Sequence, residues 1–393
     1  MKTLDRVAWT LLCAFVFTIP WEKSVLVPEV GSIARLLGIA AFAAGGAAAL
    51  RSRPLRRPNA ALLLAALFVA WSAATWFWSL DPDATLRRLR TFAELLAMFW
   101  LIWNSCRTPA RQRHLIQAYV FGAAAASSLA FWRYLHDRQT YYLRYAASGF
   151  DPNDFGLVLA LSVPLALYLA LRDRSPRRWI YLLIAPAAIA AVFLTASRAS
   201  LLATFVSLTF ALFAWRAADA TFRVVSLTLM AALALSLVRF APAPQRKRLA
   251  TIPNEITQGT LHDRTRIWKS GLKALKQHPI LGVGSGAYPK AVEPWLGRPK
   301  VAGFQYVAHN TFLSVLVEGG AIGFAVFALL LGTLALYAWT MPTLERSLWL
   351  VVSAAWAAGV FTLTWEHYKP TWLIMAMIAT GWAGAWRPPR REP

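Results

Sequence analysis

Apolar runs of membrane-crossing length alternate along the chain with short polar breaks. Runs at 7–21, 32–50, 59–79, 88–105, 115–135, 154–171, 178–196, 199–215, 222–240, 310–340, 346–364 and 370–387 predict twelve transmembrane helices. About 20 apolar residues cross roughly 30 Å of hydrocarbon as a helix, and a helix satisfies its own backbone polar groups there. The tenth run is too long for one straight span, and Gly319-Gly320 within it predicts a break or a half-helix. The first run has no small-residue cleavage pattern and a second span follows at once, so it reads as a retained span and not a signal peptide.

One long polar stretch divides the pattern. Spans one to nine occupy 1–240, a large loop occupies 241–307, and spans ten to twelve with a short tail occupy 308–393. Within the loop, Ile267, Trp268, Gly271, Leu272 and Leu275 fall on one face of a helix over Arg264–Gln277, with Arg266, Lys269, Lys273 and Lys276 on the other. That pattern predicts a helix lying in the membrane interface, apolar side down, ended by His278-Pro279.

Composition makes the class plain. Hydrophobic residues are 58% of the chain and charged residues 15%, against about 25% charged in an ordinary soluble domain. The expectation is an all-α integral membrane protein of about 12 transmembrane helices. The formal charge of +23 raises nucleic acid as a partner, but the basic residues are dispersed between spans and no nucleic-acid module is visible, so none is expected. Cys13 and Cys106 lie in or at the end of apolar runs and predict neither a disulfide framework nor a cysteine metal site.

Loop charges orient the spans. Alternate loops carry Lys2/Arg6, Arg51/Arg53/Arg56/Arg57, Arg107/Arg111/Arg113, Arg172/Arg174/Arg177/Arg178, Arg216/Arg223, Arg346 and Arg387/Arg390/Arg391, opposed only by Asp5, Asp173, Asp219 and Glu345. This face is expected to be cytoplasmic. The other face carries the acids Asp81, Asp83, Asp137, Asp151, Asp154, Glu255, Asp263, Glu293 and Glu366. It also carries Arg87, Arg88, Arg90, Arg133, Arg138, Arg144, Arg198, Arg264 and Arg266. Arginine at an outer edge works against insertion polarity. Snorkelling to lipid phosphates and an anionic ligand are the two explanations; for the group as a whole the ligand is the better one.

Several short constellations could carry chemistry. Ser197-Arg198-Ala199-Ser200 separates two spans with almost no loop, which holds a guanidinium at the membrane surface, where it can bond phosphate bidentately. A snorkelling hairpin arginine explains it equally. Arg264 and Arg266 open a helix whose dipole disfavours cations there, which mildly favours a ligand over two solvated basic residues. His309-Asn310 stands where the loop re-enters the membrane. Asn310 fits an N-cap, and His309 is either an interface residue or a base that is neutral near pH 7. Phe150-Asp151-Pro152-Asn153-Asp154 fits a turn and helix cap. Gly282-Val283-Gly284-Ser285-Gly286 lacks the Lys-Ser/Thr of a phosphate loop and reads as a turn. No His/Asp/Glu set has metal spacing.

Taken together, these pieces resemble the O-antigen ligase and polymerase superfamily of bacterial envelope glycosyltransferases. The resemblance rests on Asp151-Pro152-Asn153, Ser197-Arg198, Arg264-x-x-x-Trp268 followed by His278-Pro279-Ile280-Leu281-Gly282-Val283-Gly284, and the histidine after the large loop. His309-Asn310, nine residues, then Gly320-Ala321-Ile322-Gly323 is similar to the ligase pattern of His, a small amide or hydroxyl residue, nine positions and Gly-x-x-Gly. The resemblance implies a class C membrane glycosyltransferase fold in the bacterial inner membrane. It further implies metal-independent, inverting transfer of O-antigen glycan from undecaprenyl diphosphate to a sugar hydroxyl of lipid A-core, on the periplasmic face and without a cofactor. It maps the family's arginines to Arg198 and Arg264 and its histidine to His309. Arg266, Arg87, Arg88, Asn153 and Asn310 complete the expected substrate-binding set, and membrane lipids are the other expected partners. An O-antigen polymerase, a protein O-oligosaccharyltransferase and a lipid or solute transporter are the alternatives.

Overall fold

The computed structural model describes residues 2–29, 31–52, 55–137, 144–240, 264–297 and 306–384. Fourteen α-helices lie among these described residues. They are α1 (Lys2–Thr18), α2 (Ile33–Ser52), α3 (Ala60–Ala74), α4 (Pro82–Ser105), α5 (Pro109–His136), α6 (Pro152–Arg172), α7 (Arg177–Leu194), α8 (Arg198–Ala214), α9 (Ala220–Phe240), α10 (Arg264–Gln277), α11 (Tyr288–Val292), α12 (Thr311–Trp339), α13 (Thr343–Val360) and α14 (Lys369–Gly384). A two-residue antiparallel ladder, β1 (Leu26–Val27) with β2 (Gly31–Ser32), closes the turn between α1 and α2.

Each apolar run expected to span coincides with one long helix, α1–α9 or α12–α14. Eight of these helical stretches are long and apolar enough to cross a membrane. The others are more polar or shorter: α2 offers the shorter apolar stretch Ile33–Ala49, α4 carries Arg87, Arg88, Arg90 and Glu94 in its first half, α13 opens on Glu345-Arg346, and α14 has 16 residues.

Helix starts follow local chemistry. Asp81-Pro82, Thr108-Pro109 and Asp151-Pro152 each place a side-chain acceptor at the N-cap and proline at the first helical position. The cap oxygen takes an otherwise unpaired N–H, and proline has none to leave unpaired. At the centre stands α6, with 83% of its span buried against α5, α7, α8 and α13. Gly156 lets α8 come close: a Cβ there would lie 2.5 Å from Ser200 Oγ.

Ion pairs segregate into two layers. At one end of the bundle Arg111 pairs with Asp5 (2.5 Å), Arg178 with Asp219 (2.8 Å) and Arg172 with Glu345. At the other end Arg88 pairs with Glu366 (2.6 Å), Arg35 with Glu94 (2.7 Å) and Lys369 with Glu22 (2.6 Å). Arg111–Asp5, Arg178–Asp219, Arg172–Glu345 and Arg88–Glu366 each join groups that the loop charges assign to one face. In the polar first half of α4, Arg88 and Glu94 meet partners in the protein, while Arg87 and Arg90 are exposed.

The large loop is described at 264–297 and 306–307; its remaining residues, including Glu255 and Asp263, lie outside the described residues. Its helix α10 buries Ile267, Ser270, Gly271 and Ala274, an i, i+3, i+4, i+7 stripe. These pack with Val283, Tyr288, Val292 and Val317 in a second, smaller core. Of the expected apolar face, Ile267 and Gly271 are buried, Trp268 and Leu275 half-buried, and Leu272 is 47% exposed. The small residues Ser270, Gly271 and Ala274 set the buried stripe, because they admit the neighbouring α11: a Cβ on Gly271 would lie 2.4 Å from the Tyr288 hydroxyl.

Candidate active site

The break in α12 is the scaffold of the site. Gly320 has φ 64° and ψ −168° inside the helix, a conformation open to glycine and costly for other residues. The break frees backbone groups on both sides, and the 279–284 segment takes them up. Val283 N–H donates to Val317 O (3.0 Å), Gly284 N–H to Glu318 O (3.0 Å), and the Trp71 indole to Gly319 O (2.9 Å). Ala321 and Ile322 N–H donate to Pro279 O (2.9 Å) and Ile280 O (3.3 Å). Approach is close enough that a Cβ on Gly320 would lie 2.2 Å from Ile280 O, and one on Gly282 2.4 Å from Glu318 O. The glycine run expected as a turn is thus a backbone clamp on the half-helix Thr311–Gly319, and Gly-x-x-Gly is its counterpart.

His309 precedes that half-helix, held on both sides. Asn310 caps it, its side chain accepting from Leu313 N–H at 2.9 Å. The Trp268 indole of α10 donates to Ala308 O at 2.8 Å. Thr311 Oγ1 donates to Leu363 O (2.9 Å) and accepts from Trp365 N–H (2.7 Å). The backbone of His309 is left-handed, φ 46°. Among the described residues only Glu29, Ala196 and His309 are non-glycine with positive φ, so two of three such positions adjoin the expected chemistry. Strain of this kind persists only where surrounding structure fixes it.

Ala196, φ 49°, is the second of these. It makes the sharp turn from α7 to Ser197, the N-cap of α8, and so places Arg198 in the first turn of α8. Ser200 Oγ donates to Asn153 O (3.1 Å) and lies 2.8 Å from Ser197 Oγ. Arg144 ties the turn to α6: its Nε donates to Thr195 O (2.8 Å) and its Nη2 to Asn153 Oδ1 (2.7 Å). Asn153, expected among the substrate-binding residues, thus has its carboxamide oxygen occupied by Arg144 and braces the arginine turn.

His309 feels the charges of Arg264 and of the acids at the N-terminus of α6. Burial pulls the His309 imidazole below its ordinary pKa, the nearby Arg264 charge pulls it further down, and Asp151 and Asp154 oppose them. The net direction favours neutral imidazole, the form that accepts a proton. Asp154 is held by the Trp365 indole (2.8 Å), the Tyr368 hydroxyl (3.0 Å) and Lys23 (3.7 Å).

Arg88 belongs to an adjoining network. Besides Glu366, it lies 3.8 Å from Glu318, and Glu318 accepts from Gly286 N–H at 2.7 Å. Glu366 also accepts from Ser314 Oγ (3.3 Å) and lies 3.2 Å from His367 Nδ1. Two carboxylates compensate the Arg88 charge, which suits it to holding α4, α12 and the 361–368 turn together. Arg87 and Arg266 are exposed, Arg198 and Arg264 half-buried.

Arg144, Asp154, Glu318, Glu366 and His367 were not among the site residues expected from the sequence. Glu318 had a visible signal, being the single charged residue between Thr311 and Trp339. Asp154 and Glu366 do not stand out from other outer-face acids until the fold brings them to Lys23 and Arg88. Among the described residues no group of three or more His, Cys, Asp or Glu could hold a metal ion.

Residues 180–328 match the O-Antigen ligase family. This segment of the chain is therefore similar to the O-antigen ligase family, in agreement with the resemblance of its motifs. The match takes in Arg198, Arg264, His309 and the Gly320 break, and leaves Arg88 and Asn153 outside it. The chain is also similar to the Exopolysaccharide production protein ExoQ of Rhizobium meliloti (strain 1021), 37% identical over 83 residues, which cover 19% of this chain and 18% of that protein. The chain thus spans about 18% of the length of the curated relative it matches. The eight long apolar helices, together with the family match, indicate a multi-pass membrane protein.

Proposed function

We propose that this protein transfers a finished O-antigen glycan from undecaprenyl diphosphate to a sugar hydroxyl of lipid A-core, on the periplasmic face of the bacterial inner membrane, with inversion and without a metal. The observation that carries this reading is His309, fixed in a left-handed turn with its pKa lowered by burial and by Arg264. A sugar hydroxyl is a poor nucleophile, and a neutral imidazole beside it removes its proton as the new glycosidic bond forms. The electron pair of the breaking anomeric C–O bond goes to the departing diphosphate. Arg264 and Arg198 would stabilise that growing negative charge, a role fixed guanidinium groups perform without reorganising. Arg266, exposed beside Arg264 on α10, would take the outer phosphate or the glycan. Arg87 would meet the acceptor from α4, while Arg88, Asn153 and Asn310 position the elements that carry the reacting groups.

A second reading has its own support. Similarity to an exopolysaccharide production protein favours a growing polysaccharide as acceptor in place of lipid A-core. Purified protein incubated with lipid-linked glycan and either lipid A-core or a second lipid-linked glycan separates the two when the product is identified by mass spectrometry. Glycosylated lipid A-core is the expected product. An elongated lipid-linked glycan as the sole product would replace the ligase reading with the polymerase one.

A further inference from the structure

The helix α10 carries Lys269, Lys273 and Lys276 and no acidic residue. All three lysines are exposed, and among the described residues none of them meets a carboxylate; Lys273 lies over the Trp295 ring at 5.6 Å. Spacings of four and three put them on one side of the helix, in a row about 10 Å long at 1.5 Å per residue, which Arg266 continues toward the site. Other cations of the outer layer are matched: Arg88 by Glu366, Arg35 by Glu94, Lys369 by Glu22. The row on α10 is therefore surplus charge. The helix dipole favours Lys276 in the last turn but gives no reason for Lys269 in mid-helix.

What stands beside the row sets its level. Leu272, three residues after Lys269 and four before Lys276, is exposed, and so beyond the helix end are Ile280 (60%) and Leu281 (44%). The Trp78 indole donates to Leu281 O (3.3 Å) and Leu80 N–H to Val283 O (3.0 Å). These bonds tie the apolar edge to the Thr75–Trp78 turn that ends α3. Trp76 and Phe77 of that turn are exposed, Phe77 at 81%. Exposed aromatic residues at the end of a span mark the headgroup level of a bilayer. Apolar side chains thus reach that level with the lysines alongside them, the arrangement by which a helix meets an anionic lipid surface. Spread along a convex helix, the lysines offer a row of separate phosphate contacts and not one pocket for a single ligand.

We propose that α10 docks on the anionic phospholipid headgroups of the outer leaflet beside it, through Lys269, Lys273 and Lys276, with Leu272, Ile280 and Leu281 as its apolar edge. Docked there, the helix holds Arg264 and, through the Trp268 bond to Ala308 O, the His309 turn at the depth of lipid-borne phosphates. The test uses full-length protein freed of Cys13 and Cys106, in phosphatidylcholine nanodiscs, with a fluorophore on Leu272→Cys. Trace phosphatidylglycerol or phosphatidylcholine carrying a nitroxide high on its acyl chain is the quencher. Phosphatidylglycerol is expected to quench about twofold more or better at low salt, with the preference fading as salt screens the charges. Changing all three lysines to glutamine should abolish the preference, and changing them to arginine should keep it. Quenching needs no turnover, so it decides the docking even if the transfer reading fails. Equal quenching by the two lipids, or a preference that survives the glutamine changes, would overturn the proposal. So would loss of the preference on adding stoichiometric lipid A-core, which would assign the row to phosphates of the acceptor. Should Leu272→Cys perturb the helix, Leu281→Cys, also exposed, gives the same readouts.

Discussion

At the residue scale, the proposed role of His309 as base depends on its protonation. Its pKa is lowered first by burial and then by Arg264, so the base form persists below the ordinary value of about 6.5. Transfer rate should therefore stay flat from neutral pH down past that value and fall only as pH drops through the lowered pKa. Removing the Arg264 charge lifts one of the depressing effects, so the acid limb of Arg264→Gln should move to higher pH. A limb that stays put, or moves lower, would mean the limb reports another group. Arg198→Ala and Arg264→Ala should each lose transfer more than folding, by ten- to a thousandfold in kcat/KM, as for other groups that stabilise developing charge. Full activity in both would place diphosphate binding elsewhere. His309 and Arg264 were legible as residues at the ends of a polar loop. Their mutual effect was not, because it depends on α10 folding back against the 308–310 turn through Trp268.

At the element scale, the break in α12 joins the Gly282 loop to the half-helix that carries Asn310. Gly320→Ala would place a methyl 2.2 Å from Ile280 O at positive φ. We expect a loss of about 3 kcal/mol or more, from strain plus clash, with loss of transfer. Gly332→Ala in the same helix meets nothing within 4 Å and should unfold at or slightly above the wild-type temperature, since alanine is the better helix former. Equal behaviour of the two variants in thermal unfolding would remove the break from the account. Periodicity and the Gly-Gly pair announced this break, because apolar length and glycine chemistry are local properties. The partner of the break was hidden, since the glycine run at 282–286 reads as a turn until its N–H groups are seen paired with Val317 and Glu318. Likewise α10 was readable from its pattern, but its buried stripe depends on close approach by Tyr288, which no periodicity encodes.

At the scale of the whole molecule, the two charge layers hold the bundle in register. Arg88, buried between Glu318 and Glu366, links α4, α12 and the turn before α14. Arg88→Ala would leave two buried carboxylates without their cation, and breaking such a pair costs about 3–5 kcal/mol. Thermal unfolding in detergent should show that loss, and an unchanged midpoint would make the pair incidental. Orientation is open to a separate test. In a chain freed of Cys13 and Cys106, a cysteine at Lys269 should react with a membrane-impermeant maleimide added outside spheroplasts, and one at Arg57 should not; the reverse pattern would invert the topology. The twelve long helices were legible in the apolar runs, because apolar length acts locally along the chain. The inter-helix pairing of Arg88 was not, because it joins residues far apart in sequence. The most direct test of the central claim is the initial rate of glycan transfer by purified protein, wild type against His309→Ala, at matched folding. The account predicts a fall of about a hundredfold or more, the scale of a lost general base; a rate within twofold of wild type would contradict it.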